Sequence, residues 1–131
     1  MKPFQRILVA TDFSEASIPA WNRALSLAAE NAGSLFVVHA YEPPNAAQAT
    51  MVGPGVYEEW NQNLRTGAEK KLDVLVAEAR KSGVQAHRGV AAGRVDEAIV
   101  KTAEELDIDL IVMDACCCGS PPQLLFVHWN G

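Results

Sequence analysis

Hydrophobic residues near the start of the chain follow the pattern of a strand, a helix and a second strand. Residues 7–10 form a short, wholly apolar run, which is typical of a strand covered on both faces. Thr11, Asp12 and Ser14 interrupt it with small polar side chains, and residues 35–38 form a second apolar run. Between the runs, one helical face carries four apolar residues: Ile18, Trp21, Leu25 and Ala28. The pattern predicts a right-handed parallel strand–helix–strand unit.

The ends of this helix also have sequence signals. Ser14 and Ser17 are both suitable N-caps, and Pro19 fits a first turn. The sequence Asn-Ala-Gly at residues 31–33 is the signal for the end of the helix.

The following fifty residues predict a loop, a long helix and an edge strand. Residues 41–55 are rich in proline, glycine and alanine and are interpreted as a loop that is either a lid or a plain connector. Residues 56–82 are helical, and Gly67 in their middle suggests a kink or a close approach. Residues 84–90 alternate as a half-exposed edge strand, which makes His87 a surface residue. The apolar stripe predicted to pack on the sheet is Tyr57, Trp60, Leu64, Ala68, Leu72, Leu75 and Ala79.

A second helix–strand pair follows. Residues 95–106 predict a helix that buries Ile99, Ala103 and Leu106, and residues 110–113 predict a central strand because they are apolar throughout. Alternating strands and helices predict a doubly wound α/β layer.

Ligands of open parallel sheets bind beyond the carboxyl ends of the strands. Asp12 lies just past the end of the first strand, and His39 and Ala40 end the second. Aspartate is also common as a turn residue, so a turn role and a ligand role for Asp12 both remain open.

Three segments resemble the universal stress protein family: Ile-Leu-Val-Ala-Thr-Asp-Phe-Ser at 7–14, Val-Val-His-Ala at 37–40 and Asp-Leu-Ile-Val-Met at 109–113. The similarity covers residues 1–113 in the right order and spacing. It implies a Rossmann-like doubly wound parallel sheet with strand order 3-2-1-4, followed by a fifth strand. It also implies cytoplasmic dimers and, in some members, a bound ATP.

The resemblance also implies a binding site. Asp12 would contact the adenosine, the backbone of Ala40 would read the adenine edge, and Met113 would cover the base. These three would line the crevice between the first and fourth strands, where the strand order reverses. The full set of candidate nucleotide-binding residues is Thr11, Asp12, Ser14, His39, Ala40, Met113 and Asp114.

The tail, residues 114–131, departs from the family pattern. ATP-binding members continue into a glycine-rich loop, but here Asp114 and Cys117 occupy the two glycine positions, and the pair Gly119-Ser120 comes too early. The usual fifth strand is expected to be missing or replaced, with residues 124–129 as a substitute strand. ATP binding is therefore expected to be weak.

Three interpretations of this tail remain open. It is a frame-shifted or mis-assembled gene end, a natural loss of nucleotide binding, or a metal or redox site built on residues 116–118 with His128. Adjacent cysteines converge poorly on one ion, so no metal site is predicted.

Composition excludes several classes of protein. The chain has 131 residues, enough for one domain with a solid core, and a net charge of −5. No basic cluster suggests a nucleic-acid partner, and no apolar run approaches the roughly 20 residues of a membrane span. The expected location is the cytoplasm.

Three functions follow from these observations. The first is a stress-response module that binds or responds to ATP or adenosine. The second is a slow ATP hydrolase or nucleotide α-hydrolase-like enzyme, for which Asp114 and His39 are the nearby candidates to hold a metal or activate water. The third is a dimeric interaction protein that binds no nucleotide. A homodimer or larger assembly is expected, because an unpaired apolar fourth strand would recruit another chain.

Overall fold

The computed structural model describes residues 5–43, 45–114 and 124–128. The strands are β1 (Arg6–Ala10), β2 (Ser34–Tyr41), β3 (Gln85–Ala92), β4 (Leu110–Asp114) and β5 (Leu124–His128). The helices are a short 3-10 turn (Glu15–Ser17), α1 (Ile18–Asn31), α2 (Ala46–Val52), α3 (Pro54–Lys81) and α4 (Val95–Glu105).

The five strands form one sheet in the order β3-β2-β1-β4-β5. The first four are parallel, and β1 lies between β2 and β4, so the strand order reverses at β1. Helices α1 and α3 pack on one face of the sheet and α4 on the other. The predicted fold class and the order 3-2-1-4 are confirmed.

Alternation along the strands explains why the central runs are wholly apolar. In β1, Ile7 and Val9 pack toward α1 and α3, whereas Leu8 packs toward α4. All three side chains are 0% exposed. A strand between two helical layers has no solvent face, so polar residues are excluded from both of its sides.

The fifth strand is replaced rather than missing. β5 pairs antiparallel with β4, with Leu110 opposite His128 and Asp114 opposite Leu124. The expectation of a substitute strand from this segment is confirmed within the chain itself. Among the described residues the sheet therefore ends at β5, and β4 has a strand on both of its sides.

The interpretation of residues 41–55 as a loop is wrong. β2 continues to Tyr41, and α2 occupies the centre of the segment. The side chain of Asn45 accepts from the N–H of Gln48 while the Gln48 side chain accepts from the N–H of Asn45, which is a capping box. This signal and the high helix propensity of the alanines outweigh the prolines and glycines at the ends.

The long apolar stripe packs on the sheet only in the second half of α3. Leu72 and Ala79 are fully buried, but Trp60 is 39% exposed and Leu64 is 41% exposed. The prediction that the whole stripe faces the sheet is therefore wrong for its first half. A Cβ added at Gly67 would meet no atom within 4 Å, so a close approach does not explain this glycine.

Helix α1 also differs in detail from the prediction. Its buried face includes Ala20 and Trp21, whereas Ile18 is 51% exposed. Ser17 precedes the helix but makes no capping hydrogen bond. The left-handed residue at the helix end is Ala32, with φ 52°, rather than Gly33.

The edge character of β3 is confirmed. β3 lies at the end of the sheet, and His87 is exposed, with its ring 5.1 Å from that of Phe36. Arg88 pairs with Glu69 and Asp73 of α3, at 2.7 Å and 2.9 Å, so this strand is tied to the helix that covers it.

Candidate functional site

The turn after β1 is held by the side chain of Thr11. Its hydroxyl donates to Ser17 Oγ at 3.1 Å and accepts from the N–H of Phe13 at 3.0 Å. Its own N–H donates to the carbonyl of Val38 in the neighbouring strand at 3.0 Å. Thr11 is 9% exposed. Its buried hydroxyl therefore stabilises the turn through hydrogen bonds to other residues of the protein.

Asp12 lies at the exposed tip of this turn. Its Oδ1 accepts from both the N–H of Ser14, at 2.9 Å, and the Ser14 hydroxyl. The hydrogen bond from the Ser14 hydroxyl holds the pKa of Asp12 below its usual value. Both hydrogen bonds from Ser14 go to Oδ1 and the residue is exposed, so Oδ2 can accept from a ligand at the carboxyl edge of the sheet.

Phe13 and His39 contact each other on the side of the turn that faces α1 and α3. Phe13 has φ 65°, which is uncommon for an aromatic residue, and its ring centroid lies 4.7 Å from that of His39. His39 Nδ1 lies 2.8 Å from the carbonyl oxygen of Thr11. A carbonyl oxygen can only accept a hydrogen bond. The Nδ1 of His39 is therefore protonated and donates a hydrogen bond to the carbonyl oxygen of Thr11.

Ala40 and Met113 lie on the opposite face of the sheet from His39. Both are partly buried against the cluster beneath α4, whereas His39 contacts Phe13 on the α1 and α3 face. Adjacent residues of a strand point to opposite faces, which explains the separation of His39 from Ala40. The structure brings Thr11, Asp12, Ser14 and His39 together and places Ala40 and Met113 across the sheet from His39.

The predicted phosphate positions are described only in part. Asp114 ends β4 opposite Leu124. Cys117, the pair Gly119-Ser120 and the cysteine run 116–118 lie outside the described residues. Within residues 5–43, 45–114 and 124–128, no three histidine, cysteine or acidic side chains come together as a metal site.

A groove of about 380 Å³ lies beside this turn, between the start of α1 and the second half of α3. Trp21 lines it, and the Nε1 of this residue is buried without a hydrogen-bond partner among the described residues. Lys71 also lines it, with Nζ 5.2 Å from the Phe13 ring centroid. This groove is not predicted from the sequence. Its only signal is Trp21 on the apolar face of the first helix, and a tryptophan there indicates core packing just as well.

No helix in the described part of the chain is long and apolar enough to cross a membrane.

Comparison with known proteins assigns the family. The family model for universal stress proteins matches residues 3–115. Universal stress protein A homolog 1 of Coxiella burnetii is 30% identical over 110 residues, which cover 84% of this chain and 75% of that protein.

Solved structures share the fold. The universal stress protein UspA from Lactobacillus plantarum superposes with a TM-score of 0.78 at 20% identity, covering 92% of this chain and 83% of that one. A universal stress protein in complex with cAMP superposes with a TM-score of 0.60 at 23% identity, covering 83% and 70%. The chain belongs to the universal stress protein family.

Proposed function

We propose that this protein is a stress-response module of the cytoplasm that binds the adenosine part of an adenine nucleotide at the carboxyl edge of β1. The observation that carries the proposal is the Asp12 carboxylate. It is held in place by Ser14, its pKa is lowered, and both hydrogen bonds from Ser14 go to Oδ1. A fixed carboxylate in this position is suited to accept from the hydroxyls of a ribose.

Two further observations support this assignment. A solved protein of the same family was obtained in complex with cAMP. In this chain, Met113 and Ala40 are only partly buried on the α4 face, so each offers surface to an adenine ring near the point where the strand order reverses. Asp12, Ala40 and Met113 are the residues proposed to hold the nucleoside.

The phosphates are proposed to bind poorly. Residues 114–131 are proposed to form an atypical tail, in which Asp114 and Cys117 stand where ATP-binding relatives carry glycine. Hydrogen bonds to charged groups contribute roughly 1.5–3 kcal/mol each, so the loss of two weakens ATP binding about a hundredfold or more. Asp114 adds a negative charge near the phosphates. We therefore expect little preference for ATP over AMP.

Calorimetric titration with adenosine, AMP and ATP tests this function. We expect the three ligands to bind with similar, weak affinities. Asp12→Ala should weaken all three about tenfold or more, because it removes a charged acceptor. Glu104→Ala, which changes an exposed acid on α4, is the matched control and should leave the affinities unchanged. Tight ATP binding with strong preference over AMP, or adenosine binding unaffected by Asp12→Ala, would contradict the proposal.

Exchange of the tail separates its contribution from that of the nucleoside site. Replacing residues 114–131 with a tail that carries the family's glycine pattern should produce a preference for ATP over AMP. The affinity for adenosine should stay the same, because Asp12, Ala40 and Met113 are retained.

We also propose that two copies of the chain associate through the β5 edge. In the part of the chain that the structure describes, the sheet ends at this strand, and its first four residues, Leu-Leu-Phe-Val, are apolar. Apolar edge strands recruit other strands through their unpaired N–H and C=O groups.

A further inference from the structure

An apolar surface runs along the solvent side of α3. Successive residues of a helix are rotated by about 100°, so residues spaced three or four apart share a face. Val56, Trp60, Leu64 and Val74 share one such face and are 55%, 39%, 41% and 68% exposed. The residues of α3 that pack on the sheet, such as Leu72, lie on a different face. These four exposed residues, with residues 67 and 71 between them, form the outer stripe of α3.

Gly67 lies in the middle of the outer stripe. It is exposed, and a Cβ added to it would meet no atom of the described residues within 4 Å. Nothing in the described part of one chain therefore requires glycine here, although glycine costs a helix about 1 kcal/mol relative to alanine. The missing side chain leaves a hollow between Leu64 and Lys71. A large side chain from a second helix fits a hollow of this kind.

The charges beside the outer stripe are self-complementary. Glu59 and Lys70 are both exposed and lie on the same flank of the stripe. At a rise of about 1.5 Å per residue they are roughly 16 Å apart along the helix, too far to pair within one chain. None of the ion pairs among the described residues includes either of them. When two identical helices pair antiparallel about a two-fold axis, Glu59 of each copy lies beside Lys70 of the other.

We propose that the outer stripe of α3 binds the outer stripe of a second copy of this chain, with the two helices antiparallel. The register that pairs the two charges also pairs the apolar residues. Leu64 meets its own equivalent at the two-fold axis, and Val56 of each copy meets Val74 of the other. Trp60 of each copy enters the hollow over Gly67 of the other. The charged, aliphatic and aromatic contacts agree on this register to within about one helical turn.

This interface is distinct from the β5 edge, because α3 covers a face of the sheet. A single helix pair buries less than the roughly 1,600 Å² of a standard stable interface. We therefore expect association through α3 only at hundreds of micromolar protein. Two self-complementary interfaces on one chain join dimers into a larger assembly.

The test uses the Leu125→Lys variant, in which a charge blocks the β5 edge. Sedimentation equilibrium from tens of micromolar to the millimolar range should show the mass rising from a monomer toward a dimer. Gly67→Gln fills the hollow and should weaken this association about tenfold or more, although glutamine is a better helix former than glycine. Trp60→Gln removes the side chain that enters the hollow and should have a similar effect.

Charge reversal tests the register. Glu59→Lys and Lys70→Glu should each weaken association about threefold to tenfold, because each places like charges side by side. The two changes combined restore opposite charges between the copies and should restore the affinity. The two residues are too far apart to compensate within one chain, so recovery reports a contact between copies. Glu58→Lys makes the same change of charge at an exposed position on the far side of α3, and should leave the affinity unchanged.

Three results would overturn the proposal. They are a monomer at every concentration, association that Gly67→Gln does not weaken, and charge reversals whose effects add instead of cancelling. A monomer throughout would assign the outer stripe to a different partner. Urea denaturation checks that each variant is folded. If Leu125→Lys is unfolded, the same series is made in the unchanged chain and read as the growth in mass above that at tens of micromolar protein, with the same expected order. None of these results depends on nucleotide binding.

Discussion

The pKa of the Asp12 carboxyl is held below its usual value by Ser14, two residues further along the same turn. The hydrogen bond from the Ser14 hydroxyl is the largest cause of its lowered pKa, and partial burial opposes it. A lowered pKa in the folded state stabilises the fold at any pH above the usual value, near 3.8. As the pH falls below that value, the unfolded chain takes up the proton first, and this contribution is lost through the folded pKa.

Replacement of Ser14 tests this coupling. Ser14→Ala should raise the pKa of Asp12 toward 3.8, though only partly, because the backbone N–H of residue 14 still donates. The free energy of unfolding should then fall less steeply below about pH 4. A ¹³C NMR titration of the Asp12 carboxyl measures the pKa, with Ser26→Ala on the exposed side of α1 as the control. An unchanged Asp12 pKa in Ser14→Ala would assign the shift to another cause.

For single residues of the site, the sequence predicts where they lie along the strands but not which contacts they make. Asp12 and His39 follow strands whose apolar runs are clear, so their place at the carboxyl edge follows from topology. The positive φ of Phe13, and the Trp21 N–H that has no partner among the described residues, depend on how α1 and α3 pack around the turn. The spacing of hydrophobic residues along the chain cannot predict such contacts, because they form between segments that are distant in sequence.

Elements were predictable where one physical signal dominated. The runs that became β1 and β4 are buried on both faces, so hydrophobicity alone identifies them. Helix α2 was missed because prolines and glycines surround it, although the capping box of Asn45 and Gln48 begins it. The stripe of α3 continues past the buried part of the helix, so periodicity identified the helix but not where its packing begins.

Gly67 is an unfavourable residue in the middle of α3. It lies in an exposed part of the helix, and an added Cβ would touch nothing within 4 Å. Gly67→Ala should therefore raise the free energy of unfolding by about 1 kcal/mol, the difference in helix propensity between the two residues. Urea denaturation measures this change.

Gly83, just after the same helix, is the matched control. Its φ of +83° is unfavourable for alanine, although space is available there too. Gly83→Ala should lower the free energy of unfolding by about 1–2 kcal/mol. If Gly67→Ala and Gly83→Ala changed the free energy of unfolding equally, the backbone conformation of the glycine would not determine the effect of the substitution.

At the scale of the whole molecule, the sheet separates two sets of features. The adenosine contacts proposed for Ala40 and Met113 lie toward α4, and the groove around Trp21 lies toward α1 and α3. The turn 11–14 is common to both, because Asp12 is at its tip and Phe13 lines the groove.

The assembly of the protein is tested at the β5 edge. Light scattering at tens of micromolar protein should give the mass of a dimer or a larger assembly. Leu125→Lys places a charge in the edge strand, and lysine is a residue that blocks edge pairing, so this variant should be monomeric. Val100→Lys, on an exposed position of α4, is the control and should keep the assembly.

Two results would contradict this assembly. A monodisperse monomer of the unchanged chain would exclude association at that concentration. An assembly that survives Leu125→Lys would exclude the edge and direct attention to the exposed half of α3, where Trp60 and Leu64 are accessible. In that case Trp60→Gln should dissociate the assembly, because the interface would then depend on buried aromatic surface rather than on strand pairing.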